Sequence, residues 1–284
     1  MAFAIWGLAP VYYKALQHLP AMEILMHRVV WSFVMLAPLV VAGRWSQAFR
    51  QSLANRRLAL VLAGTAILVS SNWFVFIWAI NNGQILQTSL GYFINPLVNM
   101  FLGRLFLGER LRSAQKVAVM LAGAGVAYLS FFYGAFPHIA LFLAFTFGAY
   151  GLIRKTMPVG ALVGLAAETL FLSVPALIYL VDQGLAGSGA FFKQGPKVDC
   201  LLMGTAFITA LPLLLFTLGA RRIQLTTLGF LQYIGPSITF VLAVAVYREP
   251  VGLGQWVTFA LIWTALAINS VDSIRCWHQH HHPG

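Results

Sequence analysis

The chain has 284 residues, of which 60% are hydrophobic and only 9% charged. A soluble domain carries about 25% charged residues, so this composition excludes an ordinary water-soluble protein and points to one solvated by lipid. The net charge of +11 is of a size that nucleic-acid binders carry. Its basic residues, however, lie between apolar segments rather than on one face of a domain, so no nucleic acid is expected and the charge is assigned to membrane topology.

Ten apolar segments follow in chain order: 1–17, 22–42, 58–80, 85–106, 114–133, 138–153, 162–181, 199–219, 225–247 and 254–272. Most are near the ~20 residues that cross a ~30 Å hydrocarbon core, and the first and sixth are short for a full crossing. Alternating barrel-type strands are absent, so the segments are expected to be helices and the fold class an all-α membrane protein. The start of the chain has no basic lead and no A-x-A site before Pro10, so it reads as a retained first span rather than a signal peptide. Breakers separate the segments at Pro20, Gly43, Asn81-Asn82-Gly83, Pro137, Pro158, Gly184 to Gly189 and Gly195-Pro196.

Lys and Arg alternate between these breaks. The second connection holds Arg44, Arg50, Arg56 and Arg57, the fourth Arg110, Arg112 and Lys116, the sixth Arg154 and Lys155, and the eighth Arg221 and Arg222. The third and fifth hold none, and in the seventh Lys193 and Lys197 are balanced by Asp182 and Asp199. Basic connections face the cytoplasm, which predicts a multi-pass protein with both termini cytoplasmic.

A shift of 140 residues superimposes the chain on itself without a gap. Gly64-Thr65-Ala66 falls on Gly204-Thr205-Ala206, Gln84 on Gln224, Ile94-x-Pro96 on Ile234-x-Pro236, Glu109 on Glu249 and Gln115 on Gln255. Each half then has five spans. Because five is odd, the second half enters from the opposite side, giving two inverted five-helix repeats at 1–135 and 136–274, with a His-rich tail at 275–284. Such repeats are the pattern of a secondary transporter, with its site where the halves meet.

The candidate site residues follow from depth and polarity. Pro96 and Pro236 each lie about 16 Å into their spans, near the midplane. A proline there frees a backbone carbonyl one turn earlier, that of Tyr92 or Gln232, and makes both helices candidate gates. Tyr92, Asn95, Asn99, Gln232 and Tyr233 surround these prolines. They read as cavity-lining solute contacts, with a packing kink as the alternative. Arg28 and Glu168 are themselves 140 apart, each about 9 Å into its span, and ionisable residues at that depth are functional candidates. The inverted topology puts them about 12 Å apart along the normal, so they read as two sites on a pathway rather than an ion pair. Arg28 suits a carboxylate, or else snorkels outward beside Glu23. Glu168 is the candidate proton-coupling or cation-gating acid, or an amine ligand. Its alternative is a neutral acid bonded to a neighbouring helix. Asn72 and Trp73, with Phe76 and Trp78, offer an amide and ring faces to a planar or cationic solute, lipid-facing packing being the alternative.

Other features read as structural. Lys14, beside Tyr12 and Tyr13, and its counterpart Lys155 read as interfacial anchors. His27 stands without a second ligand. Gly123-Ala124-Gly125 reads as helix packing, not a dinucleotide fingerprint. The absence of a Walker lysine motif removes ATP as a direct driver, so no cofactor is expected. Cys200 and Cys276 have no metal-ligand spacing and are not expected to pair. The His278-Gln279-His280-His281-His282 tail reads as a disordered end rather than a metal site.

Several stretches resemble one family specifically. They are Glu23-Ile24-Leu25-Met26-His27-Arg28-Val29-Val30-Trp31-Ser32-Phe33, Asn72-Trp73, Phe76-Ile77-Trp78-Ala79, Asn81-Asn82, Ser89 to Asn99 around Gly91-Tyr92-Phe93-Ile94-Asn95-Pro96, Tyr150-Gly151-Leu152, Thr227-Leu228-Gly229-Phe230 and Gln232-Tyr233-Ile234-Gly235-Pro236. They are similar to the RarD-type branch of the EamA group in the drug/metabolite transporter superfamily, over nearly the whole chain. The resemblance implies ten helices in two inverted repeats, a bacterial inner-membrane location, and a cavity open to one side at a time. It also implies solutes of the amino-acid, metabolite or drug-like kind. One departure is the short lead before Trp6, which bears on the first helix and on Tyr12 and Lys14. The expected function is thus alternating-access transport of a small-molecule solute among membrane lipids. An intramembrane enzyme or lipid-handling scaffold is the rival, and it lacks a G-x-S-x-G or H-E-x-x-H motif.

Overall fold

The computed structural model describes residues 1–82, 85–132, 138–246 and 252–281. Twelve helices occupy them: α1 Ala2–Lys14, α2 Ala21–Ala42, α3 Ser46–Ala54, α4 Arg56–Asn81, α5 Ile85–Leu107, α6 Ser113–Phe132, α7 His138–Thr156, α8 Ala161–Leu185, α9 Pro196–Arg222, α10 Leu225–Gln232, α11 Ile234–Ala245 and α12 Leu253–His281. No strand occurs among the described residues. Six helices (α2, α4 and α6 to α9) are long and apolar enough to cross a membrane by length and composition. In addition, α5 runs for 23 residues.

The sequence differs from this arrangement in four places. The sixth segment, expected to be short for a full crossing, is α7, which at 19 residues is long and apolar enough to cross. The second connection contains a short helix, α3, which its Arg content hid; Phe49 and Leu53 on it pack on a core of Leu62, Met157, Val159, Val163 and Ala167. The expected single span 225–247 is two helices, α10 and α11, separated at Tyr233. The tail expected to be disordered continues α12 through His281, because no glycine or proline interrupts it before Pro283. Gly83, Gln84, Pro137, Glu249 and His282 lie outside the described residues, as do the side chains of Asn81, Gln255, Cys276 and the other tail histidines.

The helices form two compact units. The first comprises Met1–Gln84 and Ala149–Arg222, and the second Ile85–Gly148 and Ile223–Gly284. Each unit therefore draws on both sequence halves, and the division falls within α7.

In the first unit α8 packs on α2 and α4. Its buried face is mostly small, with Ala161, Gly164, Ala166 and Ala167, which lets helices approach where lipid provides no hydrophobic drive. Lys155 Nζ donates to the carbonyl of Ala220 at 2.7 Å, satisfying the end of α9. Arg221 donates to the carbonyl of Val159. Tyr12 donates to the carbonyl of Leu201, tying α1 to α9.

In the second unit α12 packs along α6. Thr258 Oγ1 donates to the Gly125 carbonyl at 3.1 Å, and a Cβ on Gly125 would stand 3.3 Å from the Thr258 carbonyl oxygen. The glycine run of α6 is thus helix-packing surface at Gly125, whereas Gly123 faces open space. Gly108 ends α5 with a positive φ of 64°. The turn brings Glu109 Oε1 to accept the N–H of Leu225 at 2.7 Å, capping the first turn of α10.

Candidate functional site

Two polar clusters lie in the first unit. One is built on α2, whose buried face carries Glu23, His27 and Arg28. Arg28 is only 5% exposed, and its guanidinium carbon stands 4.1 Å from the Trp73 ring centroid and 5.8 Å from that of Tyr13. A desolvated cation over an indole gains about 2 kcal/mol, so ring faces hold the guanidinium in the interior. Glu23 is engaged elsewhere: its Oε1 accepts the N–H of Ala190 at 2.5 Å. Arg28 and Trp73 are therefore brought together, with Asn72 buried on the same helix. His27 Nδ1 accepts from Trp31 Nε1 at 3.3 Å, and its ring lies 5.0 Å from that of Phe191.

The other cluster surrounds Glu168 on α8, whose side chain is wholly buried. Thr65 Oγ1 donates to Oε1 at 2.6 Å, and Tyr150 Oη donates to Oε2 at 3.2 Å. Arg154 Nε lies 3.6 Å from Oε1, with both side chains almost fully covered. Arg154 Nη2 also donates to the carbonyls of Gly160 and Ala161, at 3.4 and 3.1 Å. The guanidinium fills the notch left by Gly164, where any Cβ would collide with it.

Arg154 was counted above among the charges of a basic connection. It is instead an interior residue of α7, because an acid on the adjoining helix pairs with its charge and two helix-start carbonyls accept from its Nη2. A signal for it was present: the 140-residue shift that carries Arg28 onto Glu168 carries Lys14 onto Arg154, so the counterpart of Lys14 is Arg154 and not the neighbouring Lys155. Glu168 thus has its own cation, and Arg28 has its own rings.

The second unit holds the proline residues. On α5, Asn95 and Asn99 are buried while Tyr92 is 43% exposed. On α10 and the break that follows it, Gln232 and Tyr233 are buried. The two prolines act differently. Helix α5 passes Pro96 without interruption, whereas the helical hydrogen-bond ladder lapses for one residue between α10 and α11, at Tyr233, whose backbone stays right-handed helical (φ −63°, ψ −15°). Both remove a backbone donor, but the second is preceded by Gly235 where the first has Asn95. Glycine adds roughly 1 kcal/mol of helix cost at that place.

The two helices are stitched by polar contacts. Asn99 Nδ2 donates to Gln232 Oε1. Tyr233 Oη donates to the Phe93 carbonyl at 3.2 Å, a pairing of residues 140 apart. Their approach is close because Gly229 faces the Pro96 carbonyl, where a Cβ would stand at 2.7 Å. Sequence reasoning placed Asn99 in this polar neighbourhood but did not pair it with Gln232. Tyr233→Phe removes only the bond to Phe93; a loss of about 1 kcal/mol is expected in a thermal unfolding comparison.

These residues can be set beside known proteins. The EamA-like transporter family profile matches residues 1–131. A protein of Salmonella typhi named RarD is 48% identical over 274 residues, covering 96% of this chain and 93% of that one. An uncharacterized transporter of Vibrio cholerae is 48% identical over 278 residues, covering 98% and 92%. One solved crystal structure shares the fold with a TM-score of 0.73 at 16% identity, covering 97% of this chain and 96% of that one. Near-complete coverage at such identity places this chain in the EamA-like transporter family, among its RarD-type members.

Proposed function

We propose that this chain is a secondary transporter of small carboxylate-bearing metabolites, amino acids and drug-like solutes among them, working by alternating access. In this reading ten crossings form two inverted five-helix repeats in a bacterial inner membrane, with both termini cytoplasmic. The alternation of basic connections supports that topology, and it stands without Arg154 because Lys155 remains. The transporter names of the relatives support transport rather than catalysis.

The observation that carries the solute class is Arg28, a buried cation whose flanks are ring faces. Stacking fixes the plane of the guanidinium, and a planar guanidinium matches a planar carboxylate in shape and charge. Asn72 and Trp73 add an amide and an aromatic wall. Tyr92, Asn95, Gln232 and Tyr233 contact polar groups beside the helix break, and Pro96 and Pro236 give their helices the flexibility to gate. Glu168 is the proton-linked acid, with Arg154 as its counter-charge.

The test is thermal unfolding of the purified protein against a panel of amino acids and related carboxylates. A solute that binds the folded state raises the midpoint by linkage. The expected result is a saturable rise for at least one carboxylate, lost with its amide analogue and lost in Arg28→Gln. A rise that persists in Arg28→Gln, or one that amides reproduce, overturns the reading.

A further inference from the structure

Asn95 and Asn99 lie one turn apart on the same face of α5 and are 6% and 0% exposed. The side-chain oxygen of each is buried and accepts no hydrogen bond among the described residues. The nitrogen of Asn99 is committed to Gln232 Oε1, so its oxygen must face elsewhere. Buried amide oxygens are rarely left this way, and each instance calls for a reason, of which an ion is one.

Gln232, whose side chain meets Asn99, offers its carbonyl as a third oxygen. Gln232 ends α10, and the residue one turn on is Pro236, which has no N–H to give the Gln232 carbonyl. The C-terminal end of a helix carries partial negative charge. Carbonyls at such a break, together with side-chain oxygens, are the means by which membrane transporters replace the water shell of a coupling cation.

We propose that Asn95 Oδ1, Asn99 Oδ1 and the Gln232 carbonyl form a binding site for a small monovalent metal cation, sodium being the probe. The ligands are neutral amides and no carboxylate is among them, which suits a single positive charge and not a divalent ion. Oxygen acceptors without a donor also reject anions. The site rests on the transport reading for its purpose as a coupling site and shares Asn95 and Gln232 with that reading's solute contacts, but Arg28, which carries the carboxylate reading, is not among its ligands.

The experiment is thermal unfolding of the purified full chain in sodium, potassium or choline chloride at equal ionic strength. The expected result is a saturable rise in midpoint with sodium over choline. That rise is lost in Asn95→Leu and retained in Asn95→Asp, which keeps an oxygen at the site. Arg28→Gln should keep the sodium rise, so failure of the carboxylate reading and failure of this one are separable. No cation-specific rise in the native protein overturns the proposal, as does a rise unchanged in both Asn95→Leu and Asn99→Leu. A rise with methylammonium but not with sodium or potassium also overturns it, and gives these oxygens to a solute amine.

Discussion

Replacing Arg154 with alanine is expected to cost about 3–5 kcal/mol of stability, the usual penalty for stripping one partner from a buried ion pair. The loss has two parts. Glu168 would remain in a fully covered site, with the hydroxyls of Thr65 and Tyr150 as its donors among the described residues. The carbonyls of Gly160 and Ala161 at the start of α8 would lose the donor they share, and a cavity would open beside Gly164. Removing both charges at once, as Arg154→Met with Glu168→Leu, should recover most of the loss, since a dry apolar pair is often no worse than an ionic one. Unfolding midpoints of Arg154→Met, Glu168→Leu and the double variant decide the matter. If the double variant lost as much as the two singles summed, the pair would not be coupled. The same set separates stability from function. A double variant that is folded but transports without pH dependence assigns the proton to Glu168, whereas one that keeps it removes Glu168 from coupling.

Much of the fold was legible because lipid imposes length and apolarity on each crossing. The bounds of α2, α4, α5, α6, α8 and α9 fall within a few residues of the apolar runs. What escaped was decided by partners. Arg154 reads as a loop charge until Glu168 and the Gly164 notch are known, because a basic residue near a helix end is interfacial far more often than buried. The break at Tyr233 depends on Gly235 adding to Pro236; proline alone, at Pro96, leaves α5 continuous. Arg28 was legible as a site residue from its depth, but its stacking on Trp73 was not, since the two lie on different helices at no fixed spacing. The bond from Tyr233 to Phe93 could have been guessed only from the repeat, which sets those two residues at equivalent positions.

The close approach of α5 and α10 gives the other large effect. Gly229→Ala would place a Cβ 2.7 Å from the Pro96 carbonyl oxygen and 3.3 Å from Met100 Cγ. The methionine can yield, but the carbonyl belongs to the backbone of a helix, so one helix must shift. Overpacking of this kind costs about 1–3 kcal/mol, and the roughly 1 kcal/mol that alanine gains over glycine in a helix offsets only part of it. The control is Gly123→Ala on α6, where nothing stands within 4 Å; there the propensity gain is unopposed, and a neutral or slightly raised midpoint is expected. Both substitutions add one methyl group to a helical glycine, so their difference isolates the contact with Pro96. The shift forced by Gly229→Ala should also part Tyr233 from Phe93 and Gln232 from Asn99, weakening the sodium response together with stability. Equal midpoints for the two variants would mean that α5 and α10 do not pack through Gly229, and the oxygen cluster that depends on their approach would fall with it.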